Sequence, residues 1–432
     1  MEENVLTRLL KWCESRVNQK EAMKKRFSLY LDLLSDQINF DIIKVTGTNG
    51  KGSVAAMLSS CLTQSQKCVG LFTSPHLISV NERFRINDET VSIEEMEAVA
   101  LQLEVLLKKK VSEAGSQFTP SFFEVLILIA ILLFSKNGVE IAIFEAGIGG
   151  ANDSTSLLPA VVSVITSIGL DHQKQLGETL EEIAIDKTGI APTGTTLLVN
   201  SEIPEHLKAV IKAKAKGNAV LVKESGAFIS AYTFDLLQNH ALATIDGRRF
   251  ELEPSLPGYF QKQNLNLVIE VWLFLYNKGI VPNIEDISGV RFTKWEARFE
   301  VIRSKPTWIL DAAHNPEAFA ALIDSLNKVC SKDQRVLLFG NSEEKDFKTI
   351  LKLIPAIADT IYFVDDFHKA IPKSVLSAHC DRTAVGDSGD GTIENTIPLL
   401  MDRHPDNIIV AAGSIFMVGM VRESLKKILQ FK

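Results

Sequence analysis

The chain has 432 residues, a formal net charge of −7, 46% hydrophobic and 23% charged residues. That length predicts two domains, and the composition is that of an ordinary soluble globular protein. An acidic balance with only short basic runs argues against a nucleic-acid partner. The most apolar run, 122–134, contains Glu124 and falls short of the ~20 residues a bilayer span needs, so no membrane partner is expected.

The start, Met1-Glu2-Glu3, has neither a basic nor an apolar leader region, which predicts a cytoplasmic protein. Five cysteines at 13, 61, 68, 330 and 380 show no metal-binding spacing; Cys61 and Cys68 read as core thiols. Lys24-Lys25-Arg26 and Lys108-Lys109-Lys110 read as solvated helix faces. The first strand, 42–45, runs into Thr46-Gly47-Thr48-Asn49-Gly50-Lys51-Gly52-Ser53 and then a helix over 54–64. Glycines let backbone N–H groups approach an anion, the helix start adds partial positive charge, and Lys51 adds a full one. The hydroxyl arrives at Ser53, one residue later than in the standard phosphate loop, because Gly52 intervenes.

Further strands are expected at 69–72, 139–145, 161–166 and 196–199, with helices at 93–112, 122–135 and 179–188. The strands are apolar throughout rather than alternating, the pattern of a parallel sheet covered on both faces. In such sheets ligands sit beyond the carboxyl ends of the strands. Ser74 lies there, within Thr73-Ser74-Pro75-His76, as does Glu145 before Ala146-Gly147-Ile148-Gly149-Gly150. A carboxylate beside a glycine-rich turn suits a Mg²⁺ ligand next to phosphates. His172, after Leu170-Asp171, also reads as a loop-capping histidine, and Lys187 as a last-turn lysine complementing a helix dipole.

The stretch 219–253 alternates and carries an Asp246-Gly247 turn signal, so a β excursion is expected there. A helix follows the Pro257-Gly258 break over 258–276. A second strand–helix series begins near 298, with strands at 308–310, 335–339, 360–364 and 408–411 and helices at 316–330, 346–358 and 415–430. The expected architecture is therefore α/β: a phosphate-loop domain with a parallel sheet over 1–295 and a smaller Rossmann-like domain over 296–432. Arg298, just past the boundary, could aim a guanidinium at phosphates. Asp311 and His314, at a strand end before Asn315-Pro316, suit a ribose and a phosphate.

Taken together, the phosphate loop, Thr73-Ser74-Pro75-His76, Asn81-Glu82-Arg83, Glu145 through Gly150, Leu170-Asp171-His172, Lys187-Thr188-Gly189-Ile190, Leu256-Pro257-Gly258, Asp311 through Pro316 and Gly413-Ser414 carry a resemblance. The chain resembles the folylpolyglutamate synthases and bifunctional dihydrofolate synthase/folylpolyglutamate synthases of the Mur ligase superfamily. The resemblance implies ATP-dependent amide formation between a folate carboxylate and L-glutamate through an acyl phosphate, by a monomer. It implies that Thr48, Asn49, Gly50, Lys51, Gly52 and Ser53 hold the ATP phosphates. It implies Ser74, Glu145 and His172 as Mg²⁺ ligands, and a carbamylated Lys187 helping to hold a second metal. Asn264, Arg298, Asp311 and His314 match nucleotide contacts, and Asp153, with Lys51, His172 and Lys187, joins the catalytic group. Two departures stand out: Ala151-Asn152-Asp153-Ser154-Thr155-Ser156 lacks the arginine common in bifunctional members, and Glu343-Glu344-Lys345-Asp346 keeps only the last two residues of a Lys-Asp-Lys-Asp element. The first departure bears on whether dihydropteroate is accepted.

Overall fold

The computed structural model describes residues 4–14, 20–218, 220–223, 227–343, 345–380 and 384–430. Ala219, the expected start of the β excursion, and Glu344 lie outside the described residues. The chain forms two compact units that interleave in sequence. The first comprises residues 1–228, 245–247 and 266–289; the second comprises 229–244, 248–265 and 290–432.

In chain order the first unit opens with α1 (Val5–Glu14) and α2 (Lys20–Leu33). Next come β1 (Asp41–Thr46), α3 (Lys51–Gln64), β2 (Val69–Phe72), β3 (Phe84–Ile86), β4 (Glu89–Thr90), α4 (Ile93–Ala114) and α5 (Phe122–Lys136). Then follow β5 (Ile141–Glu145), β6 (Val162–Ile165), α6 (Gln173–Leu176), α7 (Leu180–Thr188), β7 (Thr196–Val199), α8 (Glu205–Gly217) and β8 (Leu221–Lys223). The strands form one sheet in the order β4-β3-β2-β5-β1-β6-β7-β8, with β3 and β4 antiparallel at one edge and the rest parallel. The α/β class and the covered parallel sheet are as the sequence predicts: β1, β2, β5, β6 and β7 are buried at nearly every position.

Beneath this sheet, α5 is buried along most of its length. Its one internal charge, Glu124, is fully buried and accepts two hydrogen bonds from Arg26, at 2.7 and 2.8 Å. Arg26 therefore corrects the reading of 24–26 as a solvated face: its guanidinium neutralises the carboxylate that makes the apolar helix polar at one point. A two-pronged bond of this kind is what makes a buried carboxylate tolerable. Cys61 is buried as expected, whereas Cys68 is only half-buried.

A three-stranded sheet in the order β11-β10-β9 follows, from β9 (Phe228–Phe234), β10 (Asn239–Ile245) and β11 (Arg248–Leu252). The turn between the last two is the Asp246-Gly247 pair, both at positive φ. Helix α9 (Gln261–Asn277) begins after Gly258, whose φ of 105° ends the preceding segment. The second unit continues with β12 (Glu300–Ile302), β13 (Thr307–Asp311), α10 (Pro316–Val329), β14 (Arg335–Phe339), α11 (Phe347–Leu353), β15 (Thr360–Phe363) and α12 (Lys373–Ala378). It closes with β16 (Ala384–Val385), α13 (Ile393–Arg403), β17 (Ile408–Ala412) and α14 (Ile415–Leu429). Its sheet runs β12-β13-β17-β14-β15-β16 and is parallel except for β12. The helix expected over 346–358 shortens to α11 and a 3₁₀ turn at Ile354–Ala356, because Pro355 cannot continue an α-helical ladder.

Candidate active site

Register alone assembles the first cluster. Val45 of β1 pairs with Glu145 of β5, Thr46 with Ile165 of β6, and Phe72 of β2 with Phe144. Four strands therefore end level, and the loops after them meet side by side. Residues 47–50 join the 166–169 loop directly: the Thr48 amide donates to Ser167 O at 3.0 Å, and the Thr166 hydroxyl donates to Asn49 O at 2.6 Å. Asn49 N donates to the Ser167 hydroxyl at 2.8 Å, and Gly169 N to the Thr48 hydroxyl at 2.9 Å. A side chain on Gly47 would lie 1.8 Å from the Thr166 hydroxyl oxygen, so glycine is required there by contact. Gly50 (φ 87°) turns the chain into α3, placing Lys51, Gly52 and Ser53 in the first helical turn. Lys51 Nζ lies over this loop and donates to the carbonyls of Gly47 (2.9 Å) and Thr48 (3.1 Å).

Glu145 is buried, and its Oε2 accepts from the Ser74 amide at 3.1 Å, so these two expected metal ligands sit together. Beside them Arg83, itself buried, donates from Nε to His76 Nδ1 at 2.9 Å. Burial, aided by the Arg83 charge, pushes His76 down to about 4, so the ring is a neutral acceptor at pH 7. Burial also pulls Arg83 down to about 10, against the opposing pull of Glu145 and Glu82. His172 sits on the 166–172 loop with a left-handed backbone (φ 51°), its Nε2 3.9 Å from Asp171 Oδ1. Among the described residues no group of three His, Cys, Asp or Glu side chains forms a ready-made metal cage. The ligand set the sequence leads one to expect is a carboxylate (Glu145), a hydroxyl (Ser74) and an imidazole (His172), of which the structure joins the first two through the Ser74 amide. Magnesium fits the hard oxygens of this set, since it takes one or two carboxylates and fills its shell with phosphate and water.

The loop after Glu145 is gripped on three sides. Asp153 Oδ2 accepts from the Gly147 and Ile148 amides (2.8 and 3.0 Å), and its Oδ1 accepts from the amide and hydroxyl of Thr155 (2.9 and 2.6 Å). Burial pushes the Asp153 carboxyl upward, and those four donors work against the push. Asp186 Oδ2 accepts from Gly150 N at 2.7 Å. A side chain on Gly150 would lie 2.6 Å from the Lys187 carbonyl, and one on Gly189 would lie 2.4 Å from Ala151 Cβ. The loop and the end of α7 are thus in backbone contact. From β1, the Thr46 hydroxyl donates to Gly149 O, and Lys44 Nζ donates to Ser156 O (3.0 Å) and Leu158 O (2.9 Å).

Lys187 is 2% exposed. Burial pushes its ammonium down to about 7; the nearby Lys51 charge pushes the same way, while Asp186, Asp171 and Asp153 oppose it. The last-turn reading of Lys187 does not account for this environment. A cation serving only the helix dipole stands in solvent, whereas here burial and the Lys51 charge push an amine toward its neutral form beside the phosphate loop.

The remaining expected residues lie in the second unit. Asp311, 5% exposed at the end of β13, accepts from Phe299 N and Ala313 N, both at 2.8 Å. Burial raises its carboxyl to about 6, with Arg298 pulling the other way. His314 Nδ1 lies 2.8 Å from Ala312 O, and Asn315 caps α10 through Ala318 N at 2.9 Å. Asn264 donates to the Gln261 side chain at 2.8 Å.

Sequence reasoning passed over Lys44, Asp186 and the Arg83–His76 bond. Lys44 had a signal, as the only charge inside an otherwise apolar buried strand. Asp186 had none beyond standing next to Lys187.

Comparison with known proteins agrees with this architecture. The chain matches the Mur ligase middle domain over residues 45–272 and the Mur ligase glutamate ligase domain over 297–415. It is 31% identical over 390 residues to the folylpolyglutamate synthase of Lacticaseibacillus casei, covering 89% of each chain. It is 30% identical over 394 residues to the dihydrofolate synthase/folylpolyglutamate synthase of Bacillus subtilis, covering 88% of this chain and 90% of that one. The folylpolyglutamate synthase of Mycobacterium tuberculosis complexed with ADP superposes with a TM-score of 0.85 at 26% identity, over 97% of this chain and 98% of that one. The chain spans 46% of the length of a further relative, the probable bifunctional folylpolyglutamate synthase/dihydropteroate synthase of Halobacterium salinarum. The chain belongs to the Mur ligase family, among its folylpolyglutamate synthases.

Proposed function

We propose that this protein is an ATP-dependent ligase that joins L-glutamate to the γ-carboxylate of a tetrahydrofolate or its polyglutamates, releasing ADP and phosphate. The observation that carries the reading is the level ending of β1, β2, β5 and β6. It gathers the phosphate loop, Ser74 with Glu145, and the 166–172 loop around one point. The named relatives supply the substrates.

Lys51 and the loop amides take the β- and γ-phosphates, with Ser53 in the first turn of α3. Ser74, Glu145 and His172 hold Mg²⁺, which when bound neutralises charge on the transferring phosphoryl group. Arg298, Asp311, His314 and Asn264 serve the nucleotide. The folate carboxylate attacks the γ-phosphorus and ADP leaves. The glutamate amine then attacks the acyl carbon of the resulting acyl phosphate, and phosphate departs. Asp153 acts by positioning: its oxygens are occupied by the loop that follows Glu145, so it fixes that loop. Lys187 is carbamylated in the working enzyme. Carbamate formation needs an unprotonated amine, and an amine pushed down to about 7 supplies one where an ordinary lysine does not. We assign the working form as a monomer, on the strength of the family resemblance.

The test is incorporation of labelled glutamate into tetrahydrofolate, with ADP release dependent on both acceptors. Lys51→Ala abolishes it by at least about a hundredfold, on the scale of losing one electrostatic stabiliser of a transition state; a fully active Lys51→Ala protein would remove the assignment. The bifunctional name of the Bacillus subtilis relative favours a second reading, in which dihydropteroate is also an acceptor. Supplying dihydropteroate in place of tetrahydrofolate decides it.

A further inference from the structure

Two adjacent positions in the second unit hold a backbone conformation that non-glycine residues avoid. Ala297 has φ 55° and Phe299 has φ 53°, with Arg298 between them. A bulky residue at positive φ is an outlier, and such strain persists only where the surroundings over-determine it. Here they do. Phe299 is fully buried, its ring 5.4 Å from that of Phe234. Its amide donates to Asp311 Oδ2 at 2.8 Å, and the Ala297 carbonyl accepts from the Ala312 amide at 2.9 Å. The Ala297 amide donates to Glu300 Oε2 at 2.9 Å, and the Arg298 guanidinium donates from Nη1 to the Ala297 carbonyl at 3.0 Å, so the guanidinium is itself tied to this turn. Glu300 is in turn held by Arg422 of α14, whose Nε lies 2.8 and 2.9 Å from the two carboxylate oxygens. Both side chains of that ion pair are largely buried, at 12% and 20% exposure, so it is not a surface contact that salt would screen away.

We propose that the Glu300–Arg422 pair is a positioning device for Arg298: it locks the strained turn that fixes where the Arg298 guanidinium stands. The proposal rests on the reading of Arg298 as a nucleotide contact, and Glu300 and Arg422 act only through it. Nothing in helix packing calls for a helix-borne arginine to end on a carboxylate that caps a strained turn 122 residues away. The arrangement makes sense if the turn must not relax. Released, Ala297 and Phe299 would move toward ordinary negative φ, and the guanidinium would swing with them.

The test is a double-mutant cycle on the full chain, reading ATP affinity by calorimetry, KM for ATP, kcat and melting temperature. Arg298→Ala is expected to weaken ATP binding about tenfold, as for loss of one charged hydrogen bond. Arg422→Met is expected to weaken it roughly threefold to tenfold, mostly in KM rather than kcat. In the Arg298→Ala background the same change is expected to have no further effect on ATP. Arg422→Lys, which returns a single donor, restores most of the affinity. A purely structural pair would lower the melting temperature in both backgrounds and leave ATP affinity of the folded protein unmoved; that result overturns the proposal. So does an equal loss of ATP affinity in both backgrounds. Should Arg422→Met fail to fold, Glu300→Gln, which removes the carboxylate charge that Arg422 holds and so frees the turn's cap from α14, carries the same cycle. If Arg298→Ala alone leaves ATP affinity unchanged, the reading of Arg298 falls and the proposal with it. If Arg298→Ala weakens ATP while Arg422→Met and Glu300→Gln do not, only the proposal falls.

Discussion

Lys44 and Lys187 are both buried lysines whose ammonium groups are pushed down to about 7, in each case mainly by burial. Their surroundings divide their tasks. Lys44 spends its protons on two carbonyls of the 156–158 segment, and Asp153 pulls it back toward the charged form. Replacing Lys44 with Met leaves those carbonyls unpaired, at about 1–3 kcal/mol each. The sign with pH follows from proton counting. The folded chain binds this proton less tightly than the unfolded chain, so the contribution of Lys44 to stability rises as pH climbs from about 7 toward the ordinary lysine range. Lys44→Met is therefore expected to lose more stability relative to wild type at pH 9 than at pH 7, as denaturant titration at the two values would show. The role proposed for Lys187 is chemical instead. Lys187→Ala is expected to be inactive, insensitive to bicarbonate, and partly restored by a short-chain carboxylic acid able to occupy the place of a carbamate. A fully active Lys187→Ala protein would end the carbamate assignment. At this scale the sequence was partly legible. Motif residues such as Lys51 and Glu145 declare themselves because their spacing follows backbone geometry. The difference between a dipole-capping lysine and a buried one pushed toward neutrality depends on what lies around the ammonium, which spacing does not encode.

The strands were the most legible elements, because five buried parallel strands must be apolar throughout. The helix at 5–14 was passed over although Val5, Leu6, Leu9, Leu10 and Cys13 recur at helical spacing, whereas the helix at 20–33, met only as a solvated basic face, has no such stripe and serves tertiary packing through Phe27 and Tyr30. Arg26 was misread for the same reason: its partner Glu124 is 98 residues away. The contact between the loop after Glu145 and the end of α7 gives the clearest element-scale prediction. A methyl group at Gly189 collides with Ala151 Cβ at 2.4 Å and approaches the Ala151 backbone. Gly189→Ala is expected to cost roughly 1–3 kcal/mol as an overpacked site and to lower activity by displacing Lys187. Adding Ala151→Gly removes the Cβ contact but leaves Ala151 Cα at 2.8 Å, so the double variant is expected to recover part of both losses. Melting temperature and glutamate incorporation on the three variants measure this; equal damage in the single and double variants would show that the backbone contact alone decides.

At the scale of the molecule, the two units share the sequence between 229 and 289 instead of dividing it once. Residues 229–244 and 248–265 pack with the later part of the chain: Phe234 against Phe299, the Leu236 carbonyl with Arg303 at 2.9 Å, and the Tyr259 amide with the Ser325 hydroxyl at 3.0 Å. A fragment of 296–432 is thus expected to lack part of its own core. Its near-ultraviolet circular dichroism and amide dispersion should be poorer than those of a fragment extended to begin at 229, and equal spectra would show that the earlier segment is dispensable. The sequence reading placed one boundary near 292–297 because the strand–helix rhythm restarts there; pairings between distant segments leave no mark on rhythm. The same interleaving has a consequence during synthesis. Residues 229–265 leave the ribosome well before Phe299, Phe319 and the six-stranded sheet that will cover them. At ~5–20 residues per second the wait for the rest of the chain is roughly 10–30 s. For that interval Phe234 and the Leu236 carbonyl stand without Phe299 and Arg303, which makes this a stretch of the nascent protein for a chaperone to cover.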